Sequence, residues 1–110
     1  LSFVELDVLL NVVGGVRLSE PVGDLAVAAA LASSVYDRAL PADAVFLGEV
    51  GLGGEIRPVS QAERRLAEAA KMGMTVAYMA ERGVPRRAPA GIRAVGVRTI
   101  ADLFDRLFTA

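Results

Sequence analysis

Glu49 and Glu55 flank the glycine-rich stretch Gly48-Glu49-Val50-Gly51-Leu52-Gly53-Gly54-Glu55-Ile56-Arg57-Pro58, and two carboxylates so placed are the types that share acid and base roles. No second polar partner stands near them in sequence, so a solvated strand pair or structural hydrogen bonding is the simpler reading. The glycines at Gly14-Gly15 and Gly51 to Gly54 suggest a phosphate cradle. Neither run has the spacing or the closing Lys-Ser/Thr of a phosphate loop, and neither opens directly into a helix, so turn geometry accounts for both. Lys71 is the only lysine among 12 basic residues, and the only residue able to activate a serine as a Ser-Lys dyad does. Its expected place in the last turn of a helix is explained by the helix dipole, and Ser33 and Ser34 fall inside an expected buried helix.

Composition removes most other chemistry. The chain has no histidine and no cysteine, hence no imidazole base, thiol nucleophile, disulfide or thiolate metal site. A formal net charge of -1 gives no overall pull toward nucleic acid, so any such contact must come from a local patch. At 110 residues the chain forms one domain around one core. No apolar run approaches the roughly 20 residues of a membrane span. The longest candidate, Leu25 to Ala32, is mostly alanine and points to a packed core or a subunit interface. The N-terminus shows no initiator Met, basic region or cleavage pattern, which makes a cytoplasmic location the default expectation. Its abrupt start at Leu1-Ser2-Phe3-Val4 suggests a piece of a longer protein.

The elements follow from periodicity and punctuation. Val4, Leu6, Val8, Leu10 and Val12 alternate with polar residues as in a half-buried strand, and Gly14-Gly15 breaks or bends it. Ser19 or Glu20 caps a helix with Pro21 in its first turn, running to about Tyr36, apolar all round and therefore expected to be buried on more than one side. Asp37 to Asp43 is a loop. Val45 to Val50 and Ile56 to Val59 are the strands of a β-hairpin, with Ala44 to Leu47 as the start of the first. Ser60-Gln61-Ala62-Glu63 reads as a capping box for a helix that buries Ala62, Leu66 and Ala69, pairs Arg64 with Glu68 and stops at Gly73. Thr75 to Met79 and Ile92 to Val97 are strands separated by an exposed basic loop. Thr99 caps a last helix with the stripe Ile100, Leu103, Phe104, Leu107 and Phe108. This order predicts an α+β fold, a mixed sheet with a β-hairpin and two to three packed helices.

The segments Val12-Val13-Gly14-Gly15-Val16, Glu20-Pro21, Asp24-Leu25-Ala26, Gly48-Glu49-Val50-Gly51-Leu52, Gly54-Glu55-Ile56-Arg57-Pro58-Val59 and Glu68-Ala69-Ala70 carry more. Together they resemble the C-terminal, Lon-protease-like domain of the RadA (Sms) family of bacterial DNA repair proteins, in the same order from about Asp7 to Leu107. The resemblance implies a Lon proteolytic-domain-like fold over residues 1–110. It also implies preceding zinc-binding and RecA-like ATPase domains, so ATP, magnesium and zinc belong to those domains and no cofactor to this one. Lon proteases carry a nucleophilic serine after the proline at the start of the first buried helix, and a lysine in the helix after the hairpin. The resemblance places those positions at Val22 and Arg65. Valine offers no nucleophile, and a guanidinium stays protonated where a neutral amine must accept a proton.

The resemblance thus implies a protease scaffold without protease activity. It implies a hexameric ring, contact with single-stranded or branched DNA, and branch migration with RecA by the assembled ATPase, with no membrane partner. The candidate phosphate contacts are Arg64, Arg65, Lys71, Arg82, Arg86 and Arg87, with Arg17 apart from them. The alternative function is an active Lon-type Ser-Lys peptidase domain.

Overall fold

The computed structural model describes residues 23–108. Helix α1 (Asp24–Tyr36) leads into strands β1 (Ala44–Leu47), β2 (Glu49–Val50) and β3 (Ile56–Arg57). Helix α2 (Ala62–Lys71), strand β4 (Val76–Ala80), a single 3-10 turn (Glu81–Gly83), strand β5 (Arg93–Val97) and helix α3 (Ile100–Phe108) complete the order. The expected strand Val4 to Val12, the Gly14-Gly15 bend, the Ser19/Glu20 cap with Pro21, and the candidates Arg17 and Val22 lie outside the described residues.

The fold is α+β with parallel and antiparallel strands, as the element order predicts, but the two kinds are segregated. β1, β4 and β5 form a three-stranded sheet in the order β1-β4-β5, parallel throughout, with Ala44 opposite Val76 and Val76 opposite Arg93. β2 and β3 form a separate antiparallel pair, Glu49 opposite Arg57 and Val50 opposite Ile56. This corrects the extent of the hairpin: Ala44–Leu47 is not its first strand but an edge of the parallel sheet. The chain changes partner at Gly48 because the α2 crossover returns β4 beside β1, and a crossover of that length suits parallel pairing. Of the four glycines between Gly48 and Gly54, only Gly54 takes a positive φ, 85°, in a tight loop whose Gly51 N–H bonds the Glu55 carbonyl at 2.9 Å.

Alternation along the parallel strands divides the core in two. Phe46, Ala80 and Val97 point to one face and meet α1 and α3 through Leu25, Ala28, Ala29, Ala32, Ile100, Leu103 and Phe104. Ala77 and Met79 point to the other and meet Leu66 and Ala69 of α2, with Ile92. The stripes expected for α2 and α3 are the ones buried, Ala62, Leu107 and Phe108 at their margins. Each fully buried leucine, Leu25, Leu66 or Leu103, contributes about 1.5–3 kcal/mol.

Burial of α1 is narrower than its sequence suggests. Leu25, Ala28, Ala29 and Ala32 recur at i, i+3, i+4 and i+7, while Ala26 and Ala30 are exposed, which alanine tolerates because it favours helix wherever it sits. Ser33 and Ser34 are likewise not buried: Ser34 is exposed, and the Ser33 hydroxyl donates to the Arg38 carbonyl just past the helix end. Its other end is fixed by buried Asp24, whose Oδ2 accepts the Val50 N–H at 3.1 Å, while the Leu25 N–H donates to the Gly48 carbonyl at 3.0 Å.

The capping box expected at Ser60 does not form. Gln61 is the residue before α2, in the left-handed region at φ 55°, and no side chain caps the helix. That conformation turns Ser60 away from the first turn, and its carbonyl is taken instead by Arg65 Nε at 2.9 Å. The Thr99 cap does form: its Oγ1 accepts the Asp102 N–H at 3.1 Å, and the Asp102 carboxylate reaches back to the Arg98 N–H at 3.1 Å. Arg64 pairs with Glu68 at 3.3 Å, and α2 ends at Lys71 with Gly73 two residues beyond.

Candidate nucleic-acid interface

The basic residues are positioned by the turn Glu81–Gly83, which follows β4 and is clamped between two other segments. A Cβ on Gly83 would lie 2.9 Å from the Pro58 Cβ, and one on Gly96 would lie 2.9 Å from the Glu81 Cα. Both positions demand the smallest residue, and their close approach fixes Arg82 between the hairpin and the end of β5.

On one side of this turn lies a crevice of about 380 Å³ lined by Glu55, Ile56, Glu81, Arg82, Val97 and Arg98. It opens at the carboxyl ends of the parallel strands β4 and β5, where sheets of this kind receive ligands. Next to Gly83 lies a shallower groove of about 520 Å³, lined by Gln61, Ala62, Glu63, Arg64, Gly83 and Pro85. The fold therefore brings Arg64, from the first turn of α2, beside the segment that carries Arg82, Arg86 and Arg87. The last three are exposed and form no ion pair or side-chain hydrogen bond with another described residue.

Two other candidates are placed differently. Lys71 is exposed at the opposite end of α2 from Arg64, about 10 Å along the axis at 1.5 Å per residue. Among the described residues no hydroxyl or carboxylate partners it. Arg65 is half-buried with its Nε on the Ser60 carbonyl, so that donor is already committed to holding the loop before α2.

The carboxylates Glu49 and Glu55 do not face each other as an acid/base pair. Arg57 spans both, at 3.7 Å to Glu49 and 3.3 Å to Glu55, and Glu55 Oε1 also accepts the Gly53 N–H at 3.0 Å. The Glu55 carboxyl is held below its usual range, first by its own backbone N–H; desolvation opposes this as the next largest effect, and Arg57 and the Gly53 N–H add to the lowering. A lowered carboxylate is the wrong state for a general acid near neutral pH.

Sequence reasoning missed Arg98. Its Nε lies 2.5 Å from Glu81 Oε2, which raises the guanidinium's already high pKa. The available signal was its place directly after an apolar strand and before the Thr99 cap. Recognising it required knowing that β4 and β5 run parallel, so that Glu81 and Arg98 emerge from the same end of the sheet.

Among the described residues no group of three acidic or other ligating side chains is arranged to hold a metal ion, and no helix is long and apolar enough to cross a membrane.

A scan against protein-family models matches none. Curated proteins do match. The chain is 46% identical over 110 residues to the DNA repair protein RadA of Escherichia coli, covering 97% of this chain and 24% of that protein. Its identity to the RadA of Pseudomonas aeruginosa is 46% over 102 residues, 93% of this chain and 22% of the relative. To that of Mycolicibacterium smegmatis it is 48% over 94 residues, 86% and 20%. The chain thus spans about a quarter of the length of these relatives.

Proposed function

We infer, for a chain that belongs to the RadA family of DNA repair proteins, that its part in DNA repair is to assemble and to contact DNA rather than to cut peptide bonds. In this reading it is the C-terminal Lon-like module of a RadA-type ATPase, ordering a hexameric ring in which ATP, magnesium and zinc serve other domains. The whole assembly processes recombination intermediates and promotes branch migration with RecA.

The observation that carries the DNA contact is that Arg64 shares a groove with Gly83 and Pro85 of the exposed segment carrying Arg82, Arg86 and Arg87, and these last three have no competing carboxylate among the described residues. Unpaired guanidiniums on an exposed loop lose little on meeting phosphate, and each contact releases counterions. A ring would repeat this modest patch around its axis and raise the avidity of one strand for the whole.

The absence of proteolysis is supported by side-chain chemistry. Arg65 stands at the position the Lon resemblance gives to the lysine, stays protonated, and already donates to Ser60. Lys71 stands in solvent at the far end of the same helix.

Two measurements test the reading. Anisotropy of a labelled single strand is expected to show salt-dependent binding that weakens when Arg86 and Arg87 are both changed to Ala, with a shallower salt slope. Binding that survives the change with no salt slope removes the patch. Casein digestion and a serine-reactive probe are expected to give no signal above buffer, and labelling by the probe would restore the peptidase alternative.

A further inference from the structure

The crevice beside Arg82 has a more specific use, which rests on the DNA-contact reading. Its volume of about 380 Å³ lies within the roughly 300–1,000 Å³ of small-ligand sites. Ile56 and Val97 lie beneath it, closed into the core, so the surface it offers a ligand is that of the four charged side chains that line it.

Those charges are unequal. Glu55 is occupied by Arg57 and the Gly53 N–H, and Glu81 is occupied by Arg98. Arg82 has no partner among the described residues, so the rim carries one uncompensated positive charge. The Arg98 and Glu81 side chains are 79% and 53% exposed, which leaves their pairing open to competition from a stronger anion in solvent. An anion joined to a flat aromatic body suits this arrangement: the charge meets two guanidiniums, and the body lies against a guanidinium plane.

We propose that the crevice seats one nucleotide of a single DNA strand, its phosphate between Arg82 and Arg98 and its base against a guanidinium plane at the mouth. Glu81 then acts as an internal competitor that holds Arg98 until phosphate displaces it.

The competitor supplies a test with opposite signs. The 110-residue chain is titrated into a fluorescein-labelled oligodeoxythymidine at several salt concentrations. Arg82→Ala weakens binding several-fold and lowers the salt slope by about 0.7, the single-strand share of one phosphate contact. Arg82→Lys recovers most of the affinity. Glu81→Gln tightens binding several-fold, because Arg98 is released. A turn that mattered only for folding would weaken binding in both variants, and thermal melting by circular dichroism is expected to leave Arg82→Ala unchanged.

An unaltered slope in Arg82→Ala, or weaker binding in Glu81→Gln, overturns the proposal. An acidic peptide that binds as tightly, with the same ranking of variants, overturns the nucleotide as occupant. Binding lost on changing Arg86 and Arg87 but indifferent to Arg82 and Glu81 removes the crevice while DNA contact stands. A wild-type chain with no salt-dependent binding removes both.

Discussion

Asp24 is the buried charged side chain among the described residues, at 4% exposure, and it ties the start of α1 to the hairpin through the Val50 N–H. Replacing it by Ala strands that donor out of water, which costs about 1–3 kcal/mol in urea unfolding. Asp24→Asn keeps an acceptor oxygen and is expected to cost less. Asp43 is a surface counterpart. Its carboxylate accepts the Thr75 hydroxyl and is held below its usual pKa by that bond first and by its own backbone N–H second. A carboxyl whose folded pKa is lowered gives stability that is present above its unfolded pKa, near 4, and is lost as pH falls through the folded value. Thr75→Val therefore reduces the dependence of melting temperature on pH below about pH 4 and leaves the slope near neutrality unchanged. A full pH titration of the melting temperature in both proteins checks this.

Among the elements, the two capping signals had opposite outcomes for a local reason. Thr99 follows a strand that hands the chain directly into α3, so its hydroxyl lies over the first turn and accepts the Asp102 N–H. Ser60 precedes Gln61, whose left-handed backbone at φ 55° rotates the serine out of line. Thr99→Ala is expected to cost about 1 kcal/mol, and Ser60→Ala to fall within about 0.5 kcal/mol of the parent, both by denaturant midpoint. Equal losses would mean that Ser60 caps α2 after all. The same local logic explains Arg65. Once Ser60 faces away, its carbonyl needs a donor, and the guanidinium one turn into the helix supplies it.

At the scale of the molecule, a three-stranded parallel sheet separates two apolar clusters, one under α1 and α3 and one under α2. Leu66→Ala and Leu103→Ala each remove a fully buried side chain and are expected to cost about 2–5 kcal/mol. Because the two sites share no partner across the sheet, the double variant's loss is expected to equal the sum within about 0.5 kcal/mol. Strong non-additivity in urea unfolding would show that the clusters act as one core.

The identities of the described helices and of the strands β4 and β5 were legible because helix stripes and strand alternation are short-range patterns. Leu66 and Ala69, or Ile100, Leu103 and Phe104, declare their buried faces within two turns. The missing imidazole and thiol chemistry was equally fixed by composition. Tertiary structure decided what depends on residues distant in sequence. It made β1 the parallel neighbour of β4, limited the hairpin to Glu49–Val50 and Ile56–Arg57, and set Glu81 and Arg98 together beside Arg82. No periodicity encodes those meetings, because strand partner and direction follow from how crossovers close around a shared core.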